Sequence, residues 1–235
     1  MMASLNNWLP KSLLNADQQR LRCLQQNPTG GLKAYLSVPF PDKSAQLCEL
    51  DVLSLDFETT GMNAVRDQLL SIGCVNIHRG KIQLNTCYHQ IVRTRGKLKR
   101  DNVAIHQITD SEKELGAELK QAVDDLLKMM AGKVLLVHFA RIERGFLQEA
   151  CKQIYGIVPP LIMIDTLALI KRRYDLKDVN YDPSDLRLAN VRESFQLPSY
   201  FAHNALNDAI ATAELLLADV NRNHKGINTR LKRML

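Results

Sequence analysis

Three acidic stretches of the chain carry side chains whose types and spacing suit metal-assisted chemistry. In DVLSLDFE (51–58) polar and apolar residues alternate. A strand repeats every two residues, so Asp56 and Glu58 share one face with Val52 and Ser54, and Leu53, Leu55 and Phe57 take the other. Two carboxylates side by side repel each other, and a hard divalent cation with oxygen ligands removes that repulsion. The competing reading is a half-exposed strand whose polar face meets water. In HNALNDAIATAEL (203–215), His203 precedes a helix expected to begin near Asn204. Asp208 shares a helix face with Ala211, Thr212 and Leu215, small or apolar neighbours that favour an inward position over a solvated one. In VHFARIERGF (137–146), Glu143 lies near the middle of an apolar helical arc made by Ile142, Phe146, Leu147, Ala150, Cys151 and Ile154. Arg141, Arg144, Gln148 and Lys152 fall on the opposite side. An inward carboxylate is costly unless a metal or a water network compensates it, and the helix dipole favours an anion in the first turn.

The elements that must position these groups are legible along the chain. Strands are expected at DVLSLDFE, LLSIGCVNI (69–77) and IQLNTCYHQIV (82–92), the last two joined by the tight turn HRGK with Gly80 at its tip. EKELGAELKQAVDDLLKMM (112–130) reads as one long amphipathic helix. KVLLVHF (133–139) and LIMID (161–165) read as short buried strands. RIERGFLQEACKQIYG reads as a helix ended by Gly156, and helices are expected at TLALIKRRY, around 185–195, and over NALNDAIATAELLLADVNRN. Three closely linked strands followed by strands separated by helices imply an α/β fold with a mixed sheet covered by helices. Residues 1–48 form an N-terminal extension, first a helix capped by Asn15 and then a turn-rich arm through PTGG and PFPDKSAQ; 49–221 form the main domain, and 222–235 a basic tail.

Composition excludes several classes. With 46% hydrophobic and 24% charged residues the chain is ordinary for a globular protein, and no apolar run approaches the ~20 residues of a membrane span. The start, MMASLNNWLPKSLL, lacks the basic and long apolar regions of a secretory leader. Five scattered cysteines (Cys23, Cys48, Cys74, Cys87, Cys151) with no C-x-x-C pair fit reduced thiols, so a cytoplasmic protein is expected. The net charge of +6 is uneven, since 222–235 holds five Lys or Arg and no acid, leaving +1 for the other 221 residues. RTRGKLKR (93–100) carries another five cations, and Lys171, Arg172 and Arg173 form a third run. Such patches suit a polyanion, and equally suit solvated loops.

Thr59, Thr60 and Gly61 follow Glu58 directly, and then comes Met62. This D-x-E-T-T-G with a hydrophobic residue after it, at a strand end, resembles the first motif of the DEDD (DnaQ-like) 3′–5′ exonucleases. His203 and Asp208, followed by A-x-x-A-E-L, resemble the third motif of the histidine subclass; the other subclass has tyrosine where His203 stands. The family's second motif, H-N-A-x-x-D after a buried strand, is matched by His138, Ala140 and Glu143, with Phe139 in place of Asn and Glu143 in place of Asp. His106, Ile108 and Thr109 resemble the H-x-I-T segment near the substrate's 3′ end, although a loop histidine reads the same way. The D-T-L segment at 165–167 makes Asp165 an N-cap, and a reserve ligand should Glu143 not serve. The resemblance covers roughly 49–221.

The resemblance implies a ribonuclease H-like fold and two-metal phosphodiester hydrolysis with Mg2+ or Mn2+. Asp56 would bridge both ions, Glu58 and Asp208 would hold the one carrying the attacking water, and Glu143 would support the other through water. His203 would be the general base, the role an imidazole most often takes in such chemistry. Thr59, Thr60, Gly61, Met62 and His106 would bind the 3′-terminal nucleotide, and the product would be a nucleoside 5′-monophosphate. The implied substrate is nucleic acid with a free 3′ end, DNA before RNA. A catalytically weak nucleic-acid-binding module, a polymerase-associated subunit and an RNA-trimming enzyme remain alternatives. A polymerase or a second copy of the chain is the implied protein partner, since relatives occur as dimers or in larger assemblies.

Overall fold

The computed structural model describes residues 15–94, 96 and 108–235. Its centre is a five-stranded sheet of order β3-β2-β1-β4-β5, with β1 (Asp51–Thr59), β2 (Leu69–His78), β3 (Lys81–Ile91), β4 (Val134–Val137) and β5 (Met163–Asp165). β1, β2 and β3 pair antiparallel; β4 and β5 run parallel to β1. The helices are α1 (Ala16–Leu24), α2 (Gly30–Ser37), α3 (Asp110–Glu114), α4 (Leu119–Met130), α5 (Arg141–Tyr155), α6 (Thr166–Leu176), α7 (Leu188–Ser194) and α8 (Ala205–Asn223). The mixed sheet flanked by helices is the architecture expected from the strand and helix pattern.

The alternation of β1 divides the core. Leu53, Leu55 and Phe57 pack with Leu126 and Met130 of α4 and Phe146 and Leu147 of α5. Val52, with Val75 and Leu136, packs on the other face against Ala213, Leu216 and Val220 of α8. Each fully buried aliphatic or aromatic side chain contributes about 1.5–3 kcal/mol, so both layers hold β1 rigidly between them. Ser54, on the α8 side, donates Oγ to the Ala209 carbonyl at 2.6 Å and ties the helix to the strand.

Two elements depart from the sequence expectation. The run 112–130 is two helices, α3 and α4. Between them Ala117 pairs with the end of β3, through Ala117 N to Ile91 O (2.9 Å) and Arg93 N to Ala117 O (2.8 Å). A Cβ on Gly116 would lie 2.9 Å from the Arg93 nitrogen, so glycine is what lets the chain lie against that strand end. Likewise the turn-rich arm contains α2. Its Leu32, Tyr35 and Leu36 are core residues, Tyr35 donates its hydroxyl to Pro160 O (2.9 Å), and Gly31 N donates to Asp124 Oδ1 (2.5 Å). α1 is capped by Asn15, which accepts from Gln18 N at 2.9 Å.

The C-terminal basic stretch is anchored. Leu231 and Met234 are buried, Leu47 N donates to Thr229 O, and Leu231 N donates to Ala45 O, both at 2.9 Å. Arg230, Lys232 and Arg233 stay exposed beside the start of β1, five residues and more along the strand from Asp56. The five cysteines are free thiols, and among the described residues no helix is long and apolar enough to cross a membrane.

Gly73 of β2 sets how closely α8 approaches the sheet. A Cβ there would fall 2.1 Å from the backbone of Ala205 and Leu206. Gly73→Ala is therefore expected to destabilise the protein by roughly 1–3 kcal/mol and to push the start of α8 outward; urea unfolding of the variant measures the first effect.

Candidate active site

The ends of β1 and the start of α8 bring three carboxylates together. One oxygen each from Asp56, Glu58 and Asp208 lies within 4.8 Å of the others. Glu58 is buried, and Asp56 and Asp208 keep partial exposure at the floor of a cavity of about 700 Å3. α8 starts from Asn204, whose side chain accepts from Leu206 N and Asn207 N at 3.1 Å. His203, immediately before it, has φ +65°, and its backbone N donates to Asp208 Oδ2 at 3.0 Å. That bond couples the placement of the histidine to that of the carboxylate, and the imidazole is exposed at the rim of the same cavity.

Glu143, in the first turn of α5, is 2% exposed and faces inward as its helical arc requires. It stands outside the tight three-carboxylate group but close enough for its charge to act on Asp56. Burial pushes the Glu143 carboxyl up to about 8, with the charge of Asp165 adding to the rise. Asp56 is raised well above the usual carboxylate range, first by burial and then by Glu143, Asp208 and Glu58. Asp208 is raised by burial and by Glu58, and the Tyr200 hydroxyl beside it works in the other direction. Asp208 Oδ1 and Glu143 Oε2 are buried without a hydrogen-bond partner. An all-carboxylate donor set with orphaned oxygens is what a hard divalent cation takes, so these residues fit such an ion.

Asp165 has a different task. Its Oδ1 accepts from Phe139 N (3.0 Å), Leu167 N (3.0 Å) and Ala168 N (3.3 Å), and Oδ2 accepts from Ala140 N (3.0 Å). One carboxylate thus caps α6 and grips the turn that leads from β4 into α5. His138 completes that grip: Nε2 donates to Leu186 O at 2.9 Å, and Nδ1 meets Thr166 Oγ1 at 2.8 Å.

The loop after β1 is braced. Thr59 Oγ1 donates to Gly61 O (2.7 Å), Thr60 Oγ1 accepts from Gln68 N (2.9 Å), and a Cβ on Gly61 would meet the Asp67 carboxylate at 2.6 Å. Met62 is 64% exposed and lines the cavity. His106 lies outside the described residues; Thr109, two positions into the described chain, caps α3 by accepting from Glu112 N at 3.2 Å, and Ile108 is buried.

Tyr200 is the site residue that pattern reading passes over. It lines the cavity with Asp56 and Asp208, and the guanidinium carbon of Arg192 sits 5.0 Å from its ring centre. Arg192 is itself buried and bonded to Ala211 O (2.7 Å), Pro198 O (3.0 Å) and Glu214 (2.8 Å). No periodicity announces a loop tyrosine eight residues before the aspartate it faces.

Comparison with known proteins gives a consistent picture. The sequence model of the exonuclease family matches residues 53–216. DNA polymerase III PolC-type of Thermotoga maritima is 29% identical over 180 residues, which is 77% of this chain and 12% of that protein. The 3′-5′ exonuclease DinG of Staphylococcus haemolyticus is 27% identical over 163 residues, 69% of this chain and 17% of that one. The chain therefore spans only a small part of the curated relatives it matches. Among solved structures, cell-death related nuclease 4 superposes with a TM-score of 0.66 at 17% identity, covering 77% of this chain and 67% of that one. The nuclease domain of 3′hExo, a DEDDh family member bound to rAMP, gives 0.65 at 17% identity, covering 79% and 100%.

Proposed function

Because the chain belongs to the DnaQ-like exonuclease family, we propose that it removes nucleotides one at a time from the 3′ end of nucleic acid, DNA before RNA, releasing nucleoside 5′-monophosphates. The observation that carries this reading is the convergence of Asp56, Glu58 and Asp208 within 4.8 Å, beside His203 on one cavity. In it, Asp56, Glu58 and Asp208 would hold Mg2+ or Mn2+, with Glu143 supporting a second ion from outside the group. Bound there, the ions would offset the carboxylate charge and polarise the phosphodiester. The His203 imidazole would accept the proton of the attacking water, and Asp208 would keep it in place through the backbone bond. Thr59, Thr60 and Gly61 present a braced backbone to the terminal nucleotide, and Met62 an apolar surface to its base. Exposed Arg230, Lys232 and Arg233 are candidates for sequence-independent phosphate contacts along a longer strand.

The deciding experiment is release of label from 3′-labelled single-stranded DNA, duplex DNA and short RNA, each with Mg2+, Mn2+ or EDTA. Metal-dependent release of a mononucleotide is the expected result. No release from any of the three substrates with either ion sinks the proposal. The likeness to PolC-type DNA polymerase III favours one extension of it, action beside a polymerase. Co-purification of the whole chain with a replicative polymerase from the same source tests that extension.

A further inference from the structure

The basic tail is a fixed part of the fold, and it gathers cations from three separate segments onto one line. At one end Ile227 packs against the turn between β2 and β3, where a Cβ on Gly80 would fall 2.4 Å from the Ile227 Cγ2. That turn carries Arg79 and Lys81, and Lys225 stands two residues before Ile227. In the middle Arg230 pairs with Gln46, just ahead of β1. At the other end Arg172 of α6, the helix that follows β5, donates to Arg233 O at 3.0 Å and to Leu235 O at 3.1 Å. Residues 225–233 therefore cross the end of the sheet where β1 begins, from the β3 side towards the β5 side. Three to four strand spacings make that line roughly 15–20 Å long.

Its charges have few counterions. Arg79, Lys81, Lys225, Arg230, Lys232 and Arg233 are exposed, and among the described residues none of the six makes an ion pair with an Asp or Glu side chain. The nearby acids are engaged elsewhere: Asp51 with His78 Nδ1 (2.6 Å), Glu49 with Gln46 N (2.8 Å) and Asp219 with Arg173 (2.6 Å). Cations held in a row by a rigid backbone repel one another. A row of phosphates relieves that repulsion and gains the release of its own counterions. Nucleic acid, with a charge on every unit of its backbone, matches such a row better than a protein segment with scattered acids.

The row is remote from the carboxylates. Sixteen residues of α8 separate Asp208 from the C-cap His224, about 24 Å at the helical rise. A stacked strand advances about 3.4 Å per nucleotide, so roughly seven nucleotides span that distance.

We propose that the cationic row at the start of β1, built by Arg79, Lys81, Lys225, Arg230, Lys232 and Arg233, is a second nucleic-acid-binding surface that holds the phosphate backbone several nucleotides upstream of the 3′ end being cleaved. The inference rests on the exonuclease reading and deepens it: the enzyme favours strands long enough to reach both places.

The test compares wild type with a fourfold variant, Arg79→Gln, Lys81→Gln, Arg230→Gln and Arg233→Gln, on 3′-labelled single strands of five and of thirty nucleotides. Wild type is expected to have the lower KM for the longer strand. Each single-strand phosphate contact contributes about 0.7 to the slope of log affinity against log salt, so four contacts erode that advantage roughly fiftyfold between about 50 and about 200 mM salt. The fourfold variant is expected to raise KM for the long strand to that for the short one. Arg230→Lys with Arg233→Lys keeps the charges and should keep the preference. The replaced side chains are exposed, so the melting temperature of the fourfold variant should match wild type; each half of it, tested apart, should remove about half of the salt slope. A second readout needs no turnover: fluorescence anisotropy of a labelled thirty-nucleotide strand in EDTA, with polyglutamate titrated in parallel. The salt slope of that binding should be smaller in the fourfold variant by about 2.8. An unchanged length preference and an unchanged slope overturn the inference and leave the exonuclease reading intact. Strand binding that needs the row, without cleavage by wild type, overturns the exonuclease reading and keeps the surface. A fourfold variant that loses polyglutamate but binds the strand as wild type does makes the row a dock for an acidic protein segment, and the inference fails.

Discussion

Asp56→Asn is expected to raise the melting temperature of the metal-free protein by several degrees while lowering metal-dependent cleavage by about a thousandfold or more. The two effects have one cause. Asp56 stands among Glu58, Asp208 and Glu143, and burial together with those three charges pushes its carboxyl well above the usual range. Without a cation that arrangement costs folding energy, since each like charge opposes its neighbour and burial removes the water that would screen them. Asparagine keeps the shape and removes one charge. The same change takes away the ligand expected to serve both ions. Metal ions in such sites contribute several kcal/mol to the transition state, and each 1.36 kcal/mol is a factor of ten in rate. Scanning calorimetry in EDTA and a labelled-oligonucleotide assay in Mn2+ read the two effects separately. Asp178→Asn, on an exposed residue, is the control and should change neither. A variant that melts lower in EDTA, or that still cleaves, contradicts the assignment of Asp56 as a strained ligand.

What the chain reveals in advance depends on how local the cause is. The face shared by Asp56 and Glu58 follows from strand alternation within eight residues, and the inward turn of Glu143 from helical periodicity within fifteen. Both are set by neighbours in sequence, so both are legible there. The break at Gly116 is different: the helical pattern runs through it, and pairing of Ala117 with Ile91 and Arg93 overrides local propensity. α2 hides for a similar reason, since Thr29, Gly30 and Gly31 look like a turn, and what makes a helix worthwhile there is burial of Leu32, Tyr35 and Leu36 against α4 and its neighbours. The left-handed backbone at Phe139 is met by Asp165, twenty-six residues away, and Tyr200 comes beside Asp208 on a loop that Arg192 contacts through Pro198 O and the tyrosine ring. Groups placed by long-range contacts, including the wall of the cavity, leave little trace in spacing.

The charge cluster also predicts how stability responds to pH and to metal. Glu143 rises from its ordinary value of 4.5 to about 8 in the folded protein, and Asp56 rises from 3.8 in the same direction. A carboxyl whose pKa is higher folded than unfolded binds its proton more tightly in the fold. Its stabilising contribution is therefore complete below the unfolded value and is lost as pH rises through the folded one. Between pH 5 and 9 the metal-free protein should melt highest at the acid end and lose stability through pH 8, by several kcal/mol for shifts of this size, or on the order of 10 °C for a chain of this length. A divalent ion offsets the slope, because it binds the deprotonated carboxylates of the folded state and stabilises by about 2.7 kcal/mol at a concentration one hundred times its Kd. Melting curves from pH 5 to 9 should therefore diverge, with the EDTA series falling and the Mn2+ series holding level. Glu143→Gln should flatten the EDTA series by removing one titrating group, and should narrow the gap to the Mn2+ series if Glu143 supports an ion. A gap as wide in Glu143→Gln as in wild type would take Glu143 out of the metal centre and leave it a buried acid of α5. An EDTA series that rises with pH would contradict the charge cluster itself.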